Sequence, residues 1–144
     1  MTNEELIKLA FEAREHAYAP YSNWKVGAAL LTKDGKVYQG CNIENSGFTA
    51  TNCAERTAFF KAVYDGVYDF EKIAIVGGDG DKGVEGYCAP CGVCRQVMSE
   101  FCKPDEFKVI VAKSETEYHE NYLRELIPDV NFVAANDGYG LRGK

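Results

Sequence analysis

Val26-Gly27-Ala28-Ala29-Leu30-Leu31-Thr32-Lys33-Asp34-Gly35-Lys36-Val37-Tyr38-Gln39-Gly40-Cys41-Asn42 is the stretch on which the architecture turns. It reads as two strands, Val26 to Thr32 and Lys36 to Asn42. Between them Lys33-Asp34-Gly35 forms a hairpin turn, with Gly supplying the positive φ that a tight turn needs. Upstream, Thr2-x-x-Glu5 has the pattern of a capping box, and Leu6, Leu9, Ala10, Ala13 and Ala17 recur at helical spacing. That helix is expected to end at Pro20. Downstream of the hairpin, a polar loop from Ile43 to Asn52 leads into an Ala- and Phe-rich helix from about Cys53 to Tyr64.

The remaining pattern alternates. Glu71 to Gly77 reads as a strand, Gly77 to Gly86 as a loop, and Cys91 to about Cys102 as a helix with Pro90 where it begins. Phe107 to Ala112 is a β-branched run, hence a buried strand, and a short helix is expected from Tyr118 to Leu126, before Pro128. The tail, Asn131 to Lys144, is Gly-rich and has no period. Helices alternating with strands after an opening hairpin predict an α/β fold, one mixed sheet covered by helices on both faces. The order of its strands is not written in the pattern. With 144 residues and no internal repeat or linker, a single domain spanning residues 1–144 is expected.

Hydrophobic residues are 46% and charged residues 26%, as in ordinary globular proteins. A net charge of −6 argues against nucleic acid as a partner, because phosphate binding needs clustered Lys and Arg. The densest basic spots, Lys33 to Lys36 and Arg142 to Lys144, are short and diluted. The first residues are acidic and lack an apolar run, and no stretch approaches a membrane span, so neither a signal peptide nor a membrane partner is expected. Cys88, Cys91 and Cys94 fall within seven residues of one another, spacing better suited to metal than to a disulfide framework. Reduced thiols and a cytoplasmic location follow from that reading.

Two segments carry chemistry: Asn52-Cys53-Ala54-Glu55-Arg56-Thr57 and Ala89-Pro90-Cys91-Gly92-Val93-Cys94-Arg95-Gln96. Both are expected at helix N-termini, where free N–H groups and the helix dipole favour thiolate, the form that binds zinc. Cys91 and Cys94 can chelate one ion, with Cys53 as a third sulfur. Three protein ligands leave tetrahedral Zn2+ an open position, the mark of a catalytic site, where water is activated. Glu55 lies two residues beyond Cys53 and is the candidate proton carrier. Zinc with three thiolates carries a formal charge of about −1, which weakens its pull on water. Arg56, three residues from Cys53 on the same helix, is the expected compensating donor to a sulfur.

These two motifs, with Gly40-Cys41-Asn42-Ile43-Glu44-Asn45, Tyr18-Ala19-Pro20-Tyr21-Ser22 and Val26-Gly27-Ala28-Ala29-Leu30, resemble the small, homotetrameric, three-cysteine cytidine deaminases. The resemblance runs from about Leu6 to Ile127. It implies a three-layer α/β/α fold with a mixed sheet of about five strands, and hydrolytic deamination of cytidine and 2′-deoxycytidine in pyrimidine salvage. By the same resemblance Cys53, Cys91 and Cys94 are the ligands, and Glu55 shuttles protons to N3 and the departing amine. Asn42 and Glu44 match positions that hydrogen-bond the ribose 3′-hydroxyl, the Ala54 N–H would hold the base carbonyl, and Trp24 replaces the family's usual Phe as an aromatic wall. Ser46 and Phe48 match positions that reach a neighbouring subunit's pocket, and Phe132 is the candidate tail residue capping one. The implied partners are a small-molecule nucleoside and three further copies of the chain.

Plainer readings accompany the sharp ones. Cys41 and Cys102 read as core thiols, and His16 and His119 as surface or helix-end residues. Arg95 and Gln96 read as exposed helix positions. Cys88 reads as a spare loop thiol, because a fourth sulfur would close the position that catalysis needs. Two other functions compete with the first. One is a deaminase of a modified cytosine nucleoside such as blasticidin S. The other is a non-catalytic zinc-stabilised binding module, in which Cys53, Cys88, Cys91 and Cys94 close a four-sulfur site.

Overall fold

The hairpin forms as expected: β1 (Trp24–Thr32) and β2 (Val37–Cys41) pair antiparallel from Gly27 opposite Cys41 to Leu31 opposite Val37. Gly35 takes φ +94° in the turn. The computed structural model describes residues 1–130. On the other side of β1 runs β3 (Phe70–Asp79), antiparallel to it, followed by β4 (Lys108–Ala112), parallel to β3, and β5 (Tyr118–Tyr122), antiparallel to β4. The result is a mixed five-stranded sheet in the order β2-β1-β3-β4-β5.

Alternation along the central strands divides the core in two. Ala28, Leu30, Ile73 and Ile75 face one side, where α2 (Ala54–Tyr64) and α3 (Gly92–Phe101) lie; Ala29, Leu31, Ala74 and Val76 face the other, covered by α1 (Asn3–Arg14). The three-layer α/β/α arrangement follows directly. On the first side the Phe59 ring lies with its centroid 5.0 Å from Phe70 and 6.1 Å from both Phe101 and Phe107. That cluster fixes α2 against α3; replacing a buried Phe by Ala costs about 3–5 kcal/mol. Gly40 sets how closely α2 approaches the sheet, since a Cβ there would stand 2.3 Å from the Ala54 carbonyl oxygen. The close approach brings the first turn of α2 down onto β2 beside Asn42.

Four boundaries differ from the sequence reading. α1 ends at Arg14 with Glu15 as its C-cap, well before Pro20, so Ala17 lies outside the helix. Arg14 is buried and donates to the carbonyls of Lys25, Gly78 and Asp79, so the residue that closes the helix also clamps β1 to β3. β3 continues two residues into the expected Gly-rich loop. Pro90 sits one residue before the α3 N-cap, Cys91, rather than in the first turn. Tyr118 to Tyr122 is a strand, and only Leu123–Leu126 is helical (α4). Among the described residues no helix is long and apolar enough to cross a membrane.

Candidate active site

Two helix N-termini meet at one place. Cys53 is the N-cap of α2, with φ −78° and ψ 158°, and Cys91 the N-cap of α3, with φ −70° and ψ 169°. Both side chains leave the helical track, and neither caps its own helix. Cys53 Sγ lies 3.7 Å from Cys91 Sγ, Cys91 Sγ lies 3.6 Å from Cys94 Sγ, and all three sulfurs are within 4.8 Å of one another. Sulfurs about 2.3 Å from a tetrahedral zinc stand about 3.8 Å apart, so the spacing fits one ion. Zinc is the metal that this soft, closely spaced donor set suits.

The sulfurs share their protons unevenly. The hydrogen bond with Cys94 brings the Cys53 thiol down to about 5 against the effect of burial, with Arg56 and Cys91 assisting. Cys94 is pushed up, by that same bond first and by burial second. Arg56 donates from Nη2 to Cys53 Sγ at 3.3 Å, while its buried Nε has no hydrogen-bond partner. Glu55, in the first turn of α2, is 4% exposed, and burial pushes its carboxyl up to about 7. A carboxyl group poised there can both accept and return a proton near neutral pH.

Glu55 opens into a cavity of about 230 Å³ shared with Trp24, Asn42, Glu44, Ala54 and Cys91. Asn42 is buried and locked: its Oδ1 accepts from the Val26 N–H at 2.9 Å and its Nδ2 donates to the Trp24 carbonyl at 2.8 Å. Glu44 accepts from the backbone N–H groups of Tyr21 and Ser22 and from the Ser22 hydroxyl, which holds its carboxyl below the usual carboxylate range. Trp24 starts β1 and is half exposed at the rim.

Not every candidate lies in this cavity. Ser46 and Phe48 are exposed outside it, with Phe48 in a 3-10 turn at Phe48–Ala50 and 95% exposed. Phe132 lies outside the described residues. Cys88 lines the cavity but is not part of the sulfur cluster, so the described residues do not form the closed four-sulfur site weighed above. Cys102 is a core thiol, as expected, and Cys41 is half-buried.

Two supporting residues escaped the sequence reading. Ser22 braces both Glu44 and the Trp24 N–H. Arg95, expected to be exposed, donates to the Pro90 and Leu126 carbonyls, each at 2.8 Å, and so fastens the Cys91 loop to the end of α4. Pro90 is only five residues from Arg95 in the sequence, but the partner on α4 lies 31 residues away, beyond any local pattern.

The pattern described as "Cytidine and deoxycytidylate deaminase zinc-binding region" matches residues 1–111. The chain belongs to this zinc-binding deaminase family. A cytidine deaminase from Sporosarcina psychrophila is 49% identical over 128 residues, 89% of this chain and 90% of the relative. The crystal structure of a cytidine deaminase from Burkholderia pseudomallei superposes with a TM-score of 0.82 at 47% identity, covering 91% of this chain and all of that one. A blasticidin-S deaminase from Bacillus cereus is more distant, at 32% identity over 86% of this chain and 88% of the relative. Zinc is the family's metal, and Cys53, Cys91 and Cys94 form the cluster suited to it.

Proposed function

We propose that this chain hydrolyses cytidine and 2′-deoxycytidine to uridine and 2′-deoxyuridine with release of ammonia, as a cytoplasmic step of pyrimidine salvage. The observation that carries the reading is three sulfurs at the spacing of corners of a zinc-sized tetrahedron, with one buried carboxyl group beside them in the same cleft. Cys53, Cys91 and Cys94 hold the zinc, which when bound activates water for attack on the base.

The chain's own groups do the rest. A carboxylate at Glu55 takes the proton of the attacking water, and the resulting acid returns it to N3 of the base. The carboxylate then takes the proton of the new hydroxyl on the ring carbon and passes it to the amine, so that the carbon–nitrogen bond breaks, ammonia leaves and a ring carbonyl forms. Burial near neutral pKa suits a group that must work in both directions. The Ala54 N–H, free at the start of α2, holds the base carbonyl. Trp24 offers an aromatic face to the base, and Asn42 and Glu44 offer a donor and an acceptor to the ribose 3′-hydroxyl. Their locked geometry pre-organises that end of the cleft. Arg56 offsets the charge of the thiolates through Cys53.

The working form in this reading is a homotetramer. The cavity of about 230 Å³ is smaller than the roughly 300–1,000 Å³ of complete ligand sites, which leaves walls for neighbours to supply. Ser46 and Phe48 then extend towards another copy's pocket, and Phe132 caps one. Exposed Phe60 and Tyr64, which line one surface hollow together, are apolar surface of the kind that association covers.

The test is the ultraviolet absorbance change on adding cytidine, 2′-deoxycytidine or blasticidin S to the zinc-loaded protein, with Glu55→Ala as control. Turnover of the two nucleosides, lost in the variant while its zinc is retained, supports the reading. Turnover of blasticidin S alone assigns the other substrate, and zinc binding without any turnover contradicts enzymatic function.

A further inference from the structure

One side chain of the cleft lining, Cys88, has no role in the reaction as derived so far. It lines the cavity together with Trp24 and Val26. Its place is built into the sheet. Gly77 of β3 stands opposite Val26 of β1, and a Cβ on Gly77 would fall 2.7 Å from Cys88 Sγ and 2.8 Å from Cys88 Cβ. The missing side chain at position 77 is therefore the seat on which the Cys88 side chain rests. Trp24 and Val26 are two apart on β1 and point to the same face, so Trp24, Val26 and Cys88 make one continuous surface. Cys88 is half-buried, outside the three-sulfur cluster, and burial raises its thiol, which keeps it neutral and weakly polar.

The chemistry of the base says what this wall meets. The ring carbon that carries the amine has two ring neighbours, N3 and C5. In the deaminase reading, on which this inference rests, Glu55 and the Ala54 N–H take the edge with N3 and the ring carbonyl. The C5 edge then points away from those two groups, towards the rest of the lining, to which Cys88 belongs. We propose that Cys88 is a specificity-determining residue, whose sulfur, seated on Gly77, limits the size of the substituent accepted at C5 of the cytosine ring.

Cys88→Ala removes the sulfur and opens room for roughly one methyl group, whereas Cys88→Leu fills the wall. The experiment compares kcat/KM for cytidine and 5-methylcytidine in the zinc-loaded wild type and both variants. One methylene in an apolar pocket is worth about tenfold or more in discrimination. The ratio of 5-methylcytidine to cytidine is expected to rise about tenfold in Cys88→Ala and to fall about tenfold in Cys88→Leu. Both substrates meet the same zinc and the same Glu55, so any loss of folded or metal-loaded protein cancels in the ratio. A ratio within twofold of wild type in both variants, with cytidine still turned over, overturns the role of Cys88 alone. A zinc-loaded wild type that turns over neither nucleoside overturns this role and the deaminase reading together.

Discussion

Three helices of this chain start in the same way geometrically and in different ways chemically. At α1 the N-cap is Thr2, whose hydroxyl accepts from the Glu5 N–H while the Glu5 carboxylate accepts from the Thr2 N–H. At α2 and α3 the N-caps are Cys53 and Cys91, in similar extended conformations, and neither makes a side-chain cap. Thr2 satisfies the free N–H groups of its helix and contributes about 1 kcal/mol. The two cysteines leave those groups open, turn their sulfurs towards each other, and give up the cap for a metal site. Early acids differ in the same sense: Glu5 closes its own helix, whereas Glu55 is buried at the cleft beside the sulfurs. One backbone position has been used once for stability and twice for chemistry.

Substitution at each start tests how far that contrast holds. The largest effect is expected from Cys91→Ala, which should empty the site of zinc and bring deamination to background. Metal analysis of the purified variant checks it, and a full complement of zinc would break the contrast between α3 and α1.

Glu55→Gln should retain zinc and lower kcat by about 10²- to 10⁴-fold, the usual worth of a positioned proton carrier. The same change sharpens the stability side of the comparison in the metal-free protein. Folding holds the Glu55 proton up to about pH 7, above its ordinary 4.5, so the folded state binds more protons than the unfolded one between those values. Stability is therefore full below the ordinary value and falls as pH rises through 7, by about 3 kcal/mol. Denaturant unfolding should find Glu55→Gln more stable than wild type at pH 8, with the advantage gone at pH 4. Equal gains at both values would contradict a buried, titrating carboxyl group.

Arg56→Ala should weaken zinc retention about 10- to 100-fold in a chelator competition, because it removes the donor to Cys53 Sγ. An unchanged zinc affinity would leave Arg56 a packing role only. The smallest effect belongs to α1: Thr2→Ala should cost about 1 kcal/mol in urea unfolding and leave kcat/KM as it was.

How much of this was legible beforehand depended on whether the deciding contact was local. The capping box, the hairpin around Gly35 and the helices after Cys53 and Cys91 are written within a few residues, and each formed where its pattern stood. Tyr118 to Tyr122 was misread because Tyr-His-Glu-Asn-Tyr is polar and carries no alternating apolar signal. It is an edge strand, held by its ladder to β4 rather than by a buried face. The early end of α1 was hidden likewise, since Arg14 clamps carbonyls as far as 65 residues away. In the site, the sulfur motifs and Glu55 announced themselves by spacing. Ser22 under Glu44, Arg95 on the Leu126 carbonyl and Gly77 beneath Cys88 join segments that only folding brings together.

X-ray absorption at the zinc edge of the native protein tests the central claim most directly. Three sulfurs at about 2.3 Å and one oxygen at about 2.0 Å are predicted. Four sulfurs would contradict it, because no position would remain for the water that the role proposed for Glu55 requires.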